Sequence, residues 1–390
     1  MLEKSEADLW AWFRDGMHKE LHDLEKRRHR IQARATSWIL AVAALTMLAY
    51  VAPVLLHLPR PVFVPLGGLL VLAAFFKDDS VVELVLGGIG LMLWSIWPQQ
   101  PMDEFFRLTL PFLYRVLPEG TLYPAVAVAL VGVFDIHHRM RDFTSDFKSR
   151  VIRVLAQFID PNWQFIPNSF VAKRDFQDSG IFPDVPVDFS GEDLVTGSVG
   201  QTSFEMSEVR ALHLQSFTDV NGVKRSRRSS LFRGFMFVCN YNRYFPHEVF
   251  VFPDTAERFL GFMGTRLQEM NRSHGELVKL EDPVFEKYFA VYGSDQIATR
   301  MVLPPSIMEE MVAFREKSGT PVSMSIRQGR FFAAVPLTRN LFEPPLFRPI
   351  TRFSELRELF DDLTLFIDLA RAIDLNTRRW SETSGLSELG

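Results

Sequence analysis

The sequence lacks the residues and motifs on which several protein classes depend. Its single cysteine excludes a disulfide-stabilised scaffold and a cysteine-based metal site. It contains no Gly-x-x-x-x-Gly-Lys-Ser/Thr phosphate loop, no His-Glu-x-x-His and no Cys-x-x-Cys. The formal net charge of -4 does not favour nucleic-acid binding by the whole chain. We therefore predict no nucleic-acid partner, no cofactor and no metal.

The residues that are present indicate a folded chain whose two parts differ in character. With 36 Phe and 7 Trp, the sequence can fill a hydrophobic core, which excludes a disordered chain. At about 150 residues per domain, 390 residues allow two or three domains. The first 150 residues hold the long uncharged stretches, and the remainder has the composition of a globular domain.

Residues 1–35 have the pattern of an amphipathic helix. We find no secretory signal peptide here, because polar residues precede the first apolar stretch. One interpretation is an interfacial helix or a partner-binding coil, and the favoured one is a cytoplasmic segment that leads into a membrane span. The apolar positions at helical spacing are Leu9, Trp10, Phe13, Met17, Leu21 and Leu24, and the basic residues that follow are Lys26, Arg27, Arg28, Arg30 and Arg34.

Uncharged stretches in the next hundred residues predict membrane spans. Residues 36–56 carry no charge and, at about 1.5 Å per residue, are long enough to cross a hydrocarbon core of about 30 Å. Residues 61–76, 81–97 and 121–134 are shorter apolar runs. We expect four spans within a membrane domain at 36–135. Two spans are the alternative, with 61–97 forming a re-entrant hairpin.

The charges that flank these runs predict the orientation. Basic residues precede the first run, and Arg139, Arg141, Lys148 and Arg150 follow the last one. Because basic residues remain on the cytoplasmic side, both termini should be cytoplasmic. The prediction is a multi-pass protein of a bacterial inner membrane, with its larger domain in the cytoplasm.

Residues 136–380 predict an α+β domain with a mainly antiparallel sheet. Short runs rich in Phe, Val and Tyr indicate strands at 203–214, 231–241, 249–252, 277–281, 288–292, 322–326 and 331–335. The last two flank a turn at 327–330, so they should form a hairpin. Helices are predicted at 254–271, at 306–317 and from Ser354 onward, and 381–390 should form a flexible tail.

Six stretches of this domain resemble the bacterial domain-of-unknown-function family 3137. They occur in the family's order over about 176–379. The resemblance implies a membrane-anchored protein with a soluble domain, and it implies no catalytic residues. The stretches are Phe189 to Gly197, Phe204 to Val209, Leu231 to Phe235, Leu280 to Pro283 with Tyr288 and Phe289, Ser294 to Arg300, and Asn340 to Pro344.

Paired carboxylates are the weak catalytic candidates. Two neighbouring carboxylates can separate their pKa values and act as acid and base, or bind a divalent cation. The favoured alternative is that they cap turns, pair with arginines or lie in solvent. Arg300 and Asp295 are predicted to be structural, with Arg300 pairing with one of Glu192, Asp193, Glu281 or Asp282. The candidate carboxylates are Glu192, Asp193, Glu205, Glu208, Glu281 and Asp282.

A basic run after the Asn221-Gly222 turn signal is the sharpest charge feature of the domain. We predict that it tips or follows a loop between two strands, where it could bind anionic lipid. The alternative is a solvated loop. The basic residues are Lys224, Arg225, Arg227 and Arg228.

Three functions from different classes remain open. The first is a non-enzymatic binding or scaffold protein whose domain engages a protein partner or an anionic lipid bilayer. The second is a hydrolase that uses the carboxylate pairs, and the third, the least favoured, is a small transporter subunit. A pocket that held Glu192, Glu205 and Glu281 together would favour the enzyme, and a flat exposed apolar patch would favour the binding protein. Cys239 is expected to be a buried core thiol and not a nucleophile.

Overall fold

A computed structural model describes residues 4–56, 123–218, 224–241, 245–254, 274–337 and 340–374. The chain divides into two compact units, and each is described by itself below. The first unit comprises Met1–Leu21, Asp146–Pro344 and Ile350–Gly390, and the second comprises His22–Ser145 and Pro345–Pro349. The predicted segments 61–76, 81–97 and 381–390, and 255–271 of the predicted helix at 254–271, lie outside the described residues.

The first unit is built on a nine-stranded antiparallel sheet, so its architecture is α+β. The strand order is β1-β2-β3-β4-β9-β8-β5-β7-β6. The strands are β1 Gln164–Ile166, β2 Asp188–Val199, β3 Thr202–Thr218, β4 Lys224–Asn240, β5 Val249–Pro253, β6 Glu276–Val278, β7 Phe289–Gly293, β8 Ser323–Arg327 and β9 Arg330–Pro336.

Helices precede, follow and punctuate these strands. Two π-helical turns, Phe13–Met17 and Lys148–Ile152, interrupt otherwise α-helical segments. The helices are α1 Glu6–Trp12, α2 His18–Leu56, α3 Tyr123–Phe147, α4 Arg153–Ile159, α5 Lys173–Asp178, α6 Pro283–Tyr288, α7 Gln296–Val302, α8 Pro305–Ser318 and α9 Phe353–Thr364.

Residue alternation along β4 builds a core on each face of the sheet. Met236 and Val238 point to one face, where they join a buried cluster that includes Phe176 of α5. Phe235 and Phe237 point to the other face, where the Phe237 ring stacks 4.9 Å from the ring of Phe366. Helical segments therefore cover both faces of the strands at the centre of the sheet.

Local sequence signals set the turns and helix ends. The β8–β9 hairpin predicted at 327–330 is present, and Gln328 and Gly329 both adopt positive φ at its turn. The helix predicted at 306–317 is α8, which begins at Pro305 and is followed by Gly319 in the left-handed conformation.

The second unit contains most of α2 and α3, and Asp135 of α3 links the two helices. Its carboxylate accepts hydrogen bonds from Arg34 Nε at 3.1 Å, from Trp38 Nε1 at 3.1 Å and from Arg139 Nε at 2.8 Å. Burial raises the pKa of Asp135, but the bonds from Trp38 and Arg139 and the charge of Arg34 outweigh it, so the pKa is lowered. Gly132 admits the Trp38 ring, because a Cβ there would lie 3.0 Å from it.

The prediction of amino-terminal membrane spans is wrong. In the part of the chain that the structure describes, we find no helix that has both the length and the apolarity needed to cross a membrane. The segment predicted at 36–56 is the end of α2, whose first half is densely charged. Residues 123–134 of the segment predicted at 121–134 lie in α3, which reaches the charged Asp135 after roughly 18 Å. The predicted multi-pass inner-membrane location, with both termini in the cytoplasm, is overturned by the same finding.

Candidate functional site

A buried ion cluster forms where the π-helical turn Lys148–Ile152 meets β2. The Lys148 side chain is buried, whereas the sequence predicts it only as one of the cytoplasmic cations that follow the last apolar run. Its Nζ lies 2.7 Å from Glu192 Oε2 and 2.7 Å from Asp193 Oδ2. The turn aims this lysine at the sheet, so one cation bridges two adjacent carboxylates.

An irregularity in β2 presents these two carboxylates together. Adjacent side chains of a regular strand point to opposite faces, but the β2–β3 register shifts between Glu192 and Val195. Asp193 sits in this bulge with φ of 63°, and its backbone N–H donates to the Pro167 carbonyl at 3.0 Å. The bulge therefore lets Glu192 and Asp193 reach the same ammonium group.

Glu208 of β3 completes the cluster, because it is the register partner of Glu192. Its carboxylate accepts a hydrogen bond from the backbone N–H of Leu341. The cluster thus connects the helical turn, β2, β3 and the segment after β9. Sequence spacing gave no signal for this grouping, since Glu192 and Glu208 meet only through strand register.

Burial sets the protonation of the cluster. It raises the pKa of Glu208 to about 7, and the nearby carboxylates add to that shift. It also raises the pKa of Asp193 to about 6 despite the attraction of Lys148. At Lys148 burial lowers the pKa, but the two carboxylates outweigh it and the net pKa is raised. The ammonium is therefore held charged, while Asp193 and Glu208 change charge near neutral pH.

The Asp193 carboxylate is the most deeply buried part of this site. Its side chain is 1% exposed, against 42% for Glu192. Among the described residues, Oδ1 of Asp193 receives no hydrogen bond. We find no group of histidine, cysteine or carboxylate side chains arranged to hold a metal ion in the described part of the chain. Lys148 is the cation that contacts Glu192 and Asp193 in the cluster.

The other predicted carboxylates do not join the cluster. Glu205 is exposed on β3, and Glu281 is exposed before α6. Asp282 caps α6 by accepting hydrogen bonds from the Val284 and Phe285 backbone. The structure therefore brings together three of the six candidates and separates the rest.

Asp295 and Arg300 both lie at α7. Asp295 is the N-cap of this helix and accepts a hydrogen bond from the Ala298 N–H at 2.7 Å. Arg300 Nη2 donates to the Lys279 carbonyl at 3.2 Å. Its predicted pairing with a carboxylate is not observed in the described part of the chain.

The basic run forms the first half of β4. Thr218 is paired with Lys224 and Leu214 with Arg228, so the run belongs to a β3–β4 hairpin, as the turn signal predicted. His213–Thr218 and the facing residues of β4 pair only with each other among the described strands. We call this extension, residues 213–218 of β3 and 224–230 of β4, the basic hairpin. It exposes Lys224, Arg225, Arg227 and Arg228.

Cys239 and one surface cleft bear on the enzyme hypothesis. The thiol is fully buried, and burial raises the pKa of Cys239, as expected for a core residue. A cleft of about 400 Å³ is lined by Phe235 and Leu365 among other residues. None of the six candidate carboxylates lines this cleft.

These features define an α+β protein with one antiparallel sheet, a buried ion cluster and a basic hairpin. Residues 230–375 match the family described as protein of unknown function, DUF3137, so the predicted resemblance is confirmed over that segment. The two stretches at 189–197 and 204–209 lie outside the match.

Beyond the family match, one solved structure is similar to this chain. No curated protein matches the chain. The crystal structure of the mycobacterial trehalose monomycolate transport factor A, TtfA, is similar at a TM-score of 0.31 and 12% sequence identity. That match covers 57% of this chain and 94% of the other.

Proposed function

We propose that this chain is a non-enzymatic binding module that contacts anionic lipid headgroups through the basic hairpin. The charge of the hairpin is the observation that carries the proposal. Four cations occur within five residues of β4, and neither described strand of the hairpin contains an acidic residue. Contact with a lipid surface needs no helix that crosses it.

The shape of the hairpin supports contact at its end. Six residues beyond the paired sheet extend a strand by roughly 20 Å. Side chains alternate between faces, so Lys224 and Arg228 lie on one face and Arg225 and Arg227 on the other. Each cation can therefore contribute about 1 kcal/mol at an anionic surface, before losses to salt and side-chain entropy.

Exposed apolar side chains accompany these cations. Leu214 is 54% exposed and Phe217 is 44% exposed, on opposite faces of the hairpin. The guanidinium of Arg227 lies 5.9 Å from the centre of the Phe217 ring. A rigid protein surface would contact one face of such a hairpin, whereas a fluid headgroup layer can surround both faces. This distinction favours lipid over an acidic protein partner.

Vesicle binding by the full chain tests the proposal. Vesicles of equal parts phosphatidylglycerol and phosphatidylcholine should bind the chain at low salt, and vesicles of phosphatidylcholine alone should not. Replacing Lys224, Arg225, Arg227 and Arg228 by Gln should lower the partition coefficient roughly tenfold or more. Added salt should weaken the native binding, because the attraction is electrostatic.

A matched variant controls for net charge. Replacement of Lys279, Lys287, Arg300 and Lys317 by Gln removes the same charge from other exposed positions and should leave binding within about twofold. Equal loss in the two variants would overturn the proposal, as would equal binding to both kinds of vesicle. Binding to polyglutamate beads instead, lost only in the hairpin variant, would assign the hairpin to an acidic protein surface.

Hydrolysis by the ion cluster is the second candidate function. The observation that favours it is the pKa of Glu208, raised to about 7 as a general acid requires. The burial of Asp193 and its contact with Lys148 weigh against it, since a substrate would have to displace that ion pair. Turnover of chromogenic esters or glycosides that disappears in Glu208→Gln would support this candidate, and unchanged turnover would remove it.

A further inference from the structure

A small cavity in the second unit is lined by arginines from two helices. We call it the arginine cavity, with a volume of about 210 Å³. Its position follows from the hydrogen bonds of Asp135 to Arg34 and Arg139, which hold α2 and α3 together. The arginines of α2 precede Arg34 by one and two helical turns, and the lining residues of α3 follow Asp135 by the same distances. Its lining residues are Arg27, Arg30, Ile31, Arg139 and Asp142.

The charges around the cavity are unbalanced. Three guanidinium groups line it against one carboxylate, that of Asp142. Arg139 pairs with the neighbouring carboxylate of Asp135 at 2.8 Å, so its charge is offset. Arg30 is exposed and forms no ion pair with a carboxylate in the described part of the chain. Arg30 therefore brings to the lining a guanidinium charge that no described carboxylate offsets, and such a charge favours a bound anion.

The chemistry of the lining selects the kind of anion. Guanidinium groups present paired N–H donors in a plane, which suit the oxygens of a phosphate better than a single-atom ion. Ile31, 7% exposed, supplies an apolar wall. A volume of about 210 Å³ corresponds to roughly seven water molecules at about 30 Å³ each, enough for a phosphate with a small substituent.

We propose that the arginine cavity is a binding site for a phosphate group, either free phosphate or the phosphate of a small polar headgroup. The site is separate from the basic hairpin and differs from it in kind. The hairpin offers an extended surface for many headgroups, whereas the cavity takes one phosphate and should saturate.

Isothermal titration calorimetry, in which inorganic phosphate is added to the full chain, tests the site. Saturable binding is expected, and Arg30→Gln should weaken it tenfold or more, because that guanidinium has no other ion partner. Arg141→Gln is the matched control, since this arginine is exposed on the same helix as Arg139 but does not line the cavity. Its affinity should stay within twofold of the native value.

A second arm separates the two sources of the phosphate. Vesicles containing phosphatidic acid are added to the chain that carries the four hairpin substitutions, with and without Arg30→Gln. Loss of soluble phosphate binding in Arg30→Gln assigns the site to a free anion. If Arg30→Gln abolishes vesicle binding but does not change the binding of soluble phosphate, the site binds a headgroup. Absence of binding in both arms, or binding that Arg30→Gln does not change, overturns the proposal, whatever the result for the hairpin.

Discussion

Lys148 Nζ and Asp193 Oδ2 lie 2.7 Å apart, with both side chains almost fully buried. The lysine comes from a π-helical turn and the aspartate from a bulge in β2, so two local irregularities meet in one ion pair. Such a pair fixes the helix against the sheet more specifically than apolar contact would, because each charge is costly without the other.

Removal of the lysine should therefore destabilise the protein strongly. Lys148→Met keeps most of the side-chain volume but leaves Asp193 without its cation. We expect a loss of about 3 kcal/mol or more in the free energy of unfolding, measured by chemical denaturation. Lys317→Met is the matched control, since its pair with Asp368 is exposed and spans 3.9 Å, and it should cost less than about 1 kcal/mol. Similar losses in the two variants would contradict a buried pair.

Glu208 should make stability fall as pH rises. Burial raises its pKa from the ordinary 4.5 to about 7, so the folded protein binds more protons than the unfolded chain between these values. The contribution of Glu208 is fully present below about pH 4.5 and is lost as pH rises through 7, by roughly 2 kcal/mol. The raised pKa of Asp193 acts in the same direction.

Glu208→Gln removes this titration and keeps an acceptor for the Leu341 N–H. Between pH 4 and 8, the free energy of unfolding of the variant should decline less than that of the native protein. The difference is the part of the decline that Glu208 causes, roughly 2 kcal/mol. Glu205→Gln, an exposed change on the same strand, should reproduce the native profile. Parallel profiles for native protein and Glu208→Gln would show that folding does not shift the pKa of Glu208.

Asp135→Asn should loosen the contact of α2 with α3. The substitution removes the charge that Arg34 and Arg139 share, at a cost of about 1–3 kcal/mol for partly buried, charge-assisted bonds. Amide hydrogen exchange should become roughly tenfold faster or more in both helices near the substitution. Asp23→Asn, which alters an exposed pair with Lys26, should leave exchange unchanged. No acceleration would mean that apolar contacts alone hold these helices.

Two glycines give opposite predictions for the same substitution. A Cβ at Gly234 would lie 2.1 Å from the Val335 carbonyl, so Gly234→Ala should cost several kcal/mol and lower the melting temperature. Gly16 lies in a helical segment with no neighbouring atom within 4 Å of such a Cβ. Gly16→Ala should stabilise the protein by about 0.5–1 kcal/mol. Equal melting temperatures would contradict the tight β4–β9 contact.

Much of the sheet could be predicted from sequence, because its strands alternate apolar residues between two buried faces. The run at 331–335 falls within β9, and 249–252 falls within β5. Two strands, β1 and β2, are not predicted from the sequence, for physical reasons. β1 has only three residues, and β2 contains two glycines and two adjacent acids that interrupt alternation. The resemblance pointed to 189–197 as a family stretch but not to a strand.

The membrane prediction is wrong for 123–134 because this uncharged run is only one part of a helix that carries charged residues further along. In α3 the apolar residues continue directly into Asp135 and Arg139, which bond to each other. The ion cluster could not be predicted for a different reason. It depends on the register of Glu192 against Glu208 and on the direction in which a π-helical turn points Lys148. Neither property is visible in residue spacing.

The π-helical turn at Lys148–Ile152 also changes the direction in which the side chains before it point relative to those after it. In a regular α-helix, side chains four residues apart rotate by about 40° per step, so three such steps would rotate a stripe by about 120°. Phe147, Val151, Leu155 and Ile159 are spaced in this way, and all four are buried. The wider turn takes back part of the rotation, which lets every fourth residue face the same neighbour. Inserting one alanine after Arg153, where the winding is α-helical, would rotate Phe147 and Lys148 by about 100° relative to Leu155 and Ile159, and faster hydrogen exchange in α4 would reveal it. The length of this segment is therefore as constrained as its composition: one residue more in α4, and either the apolar stripe or the ammonium group loses its direction.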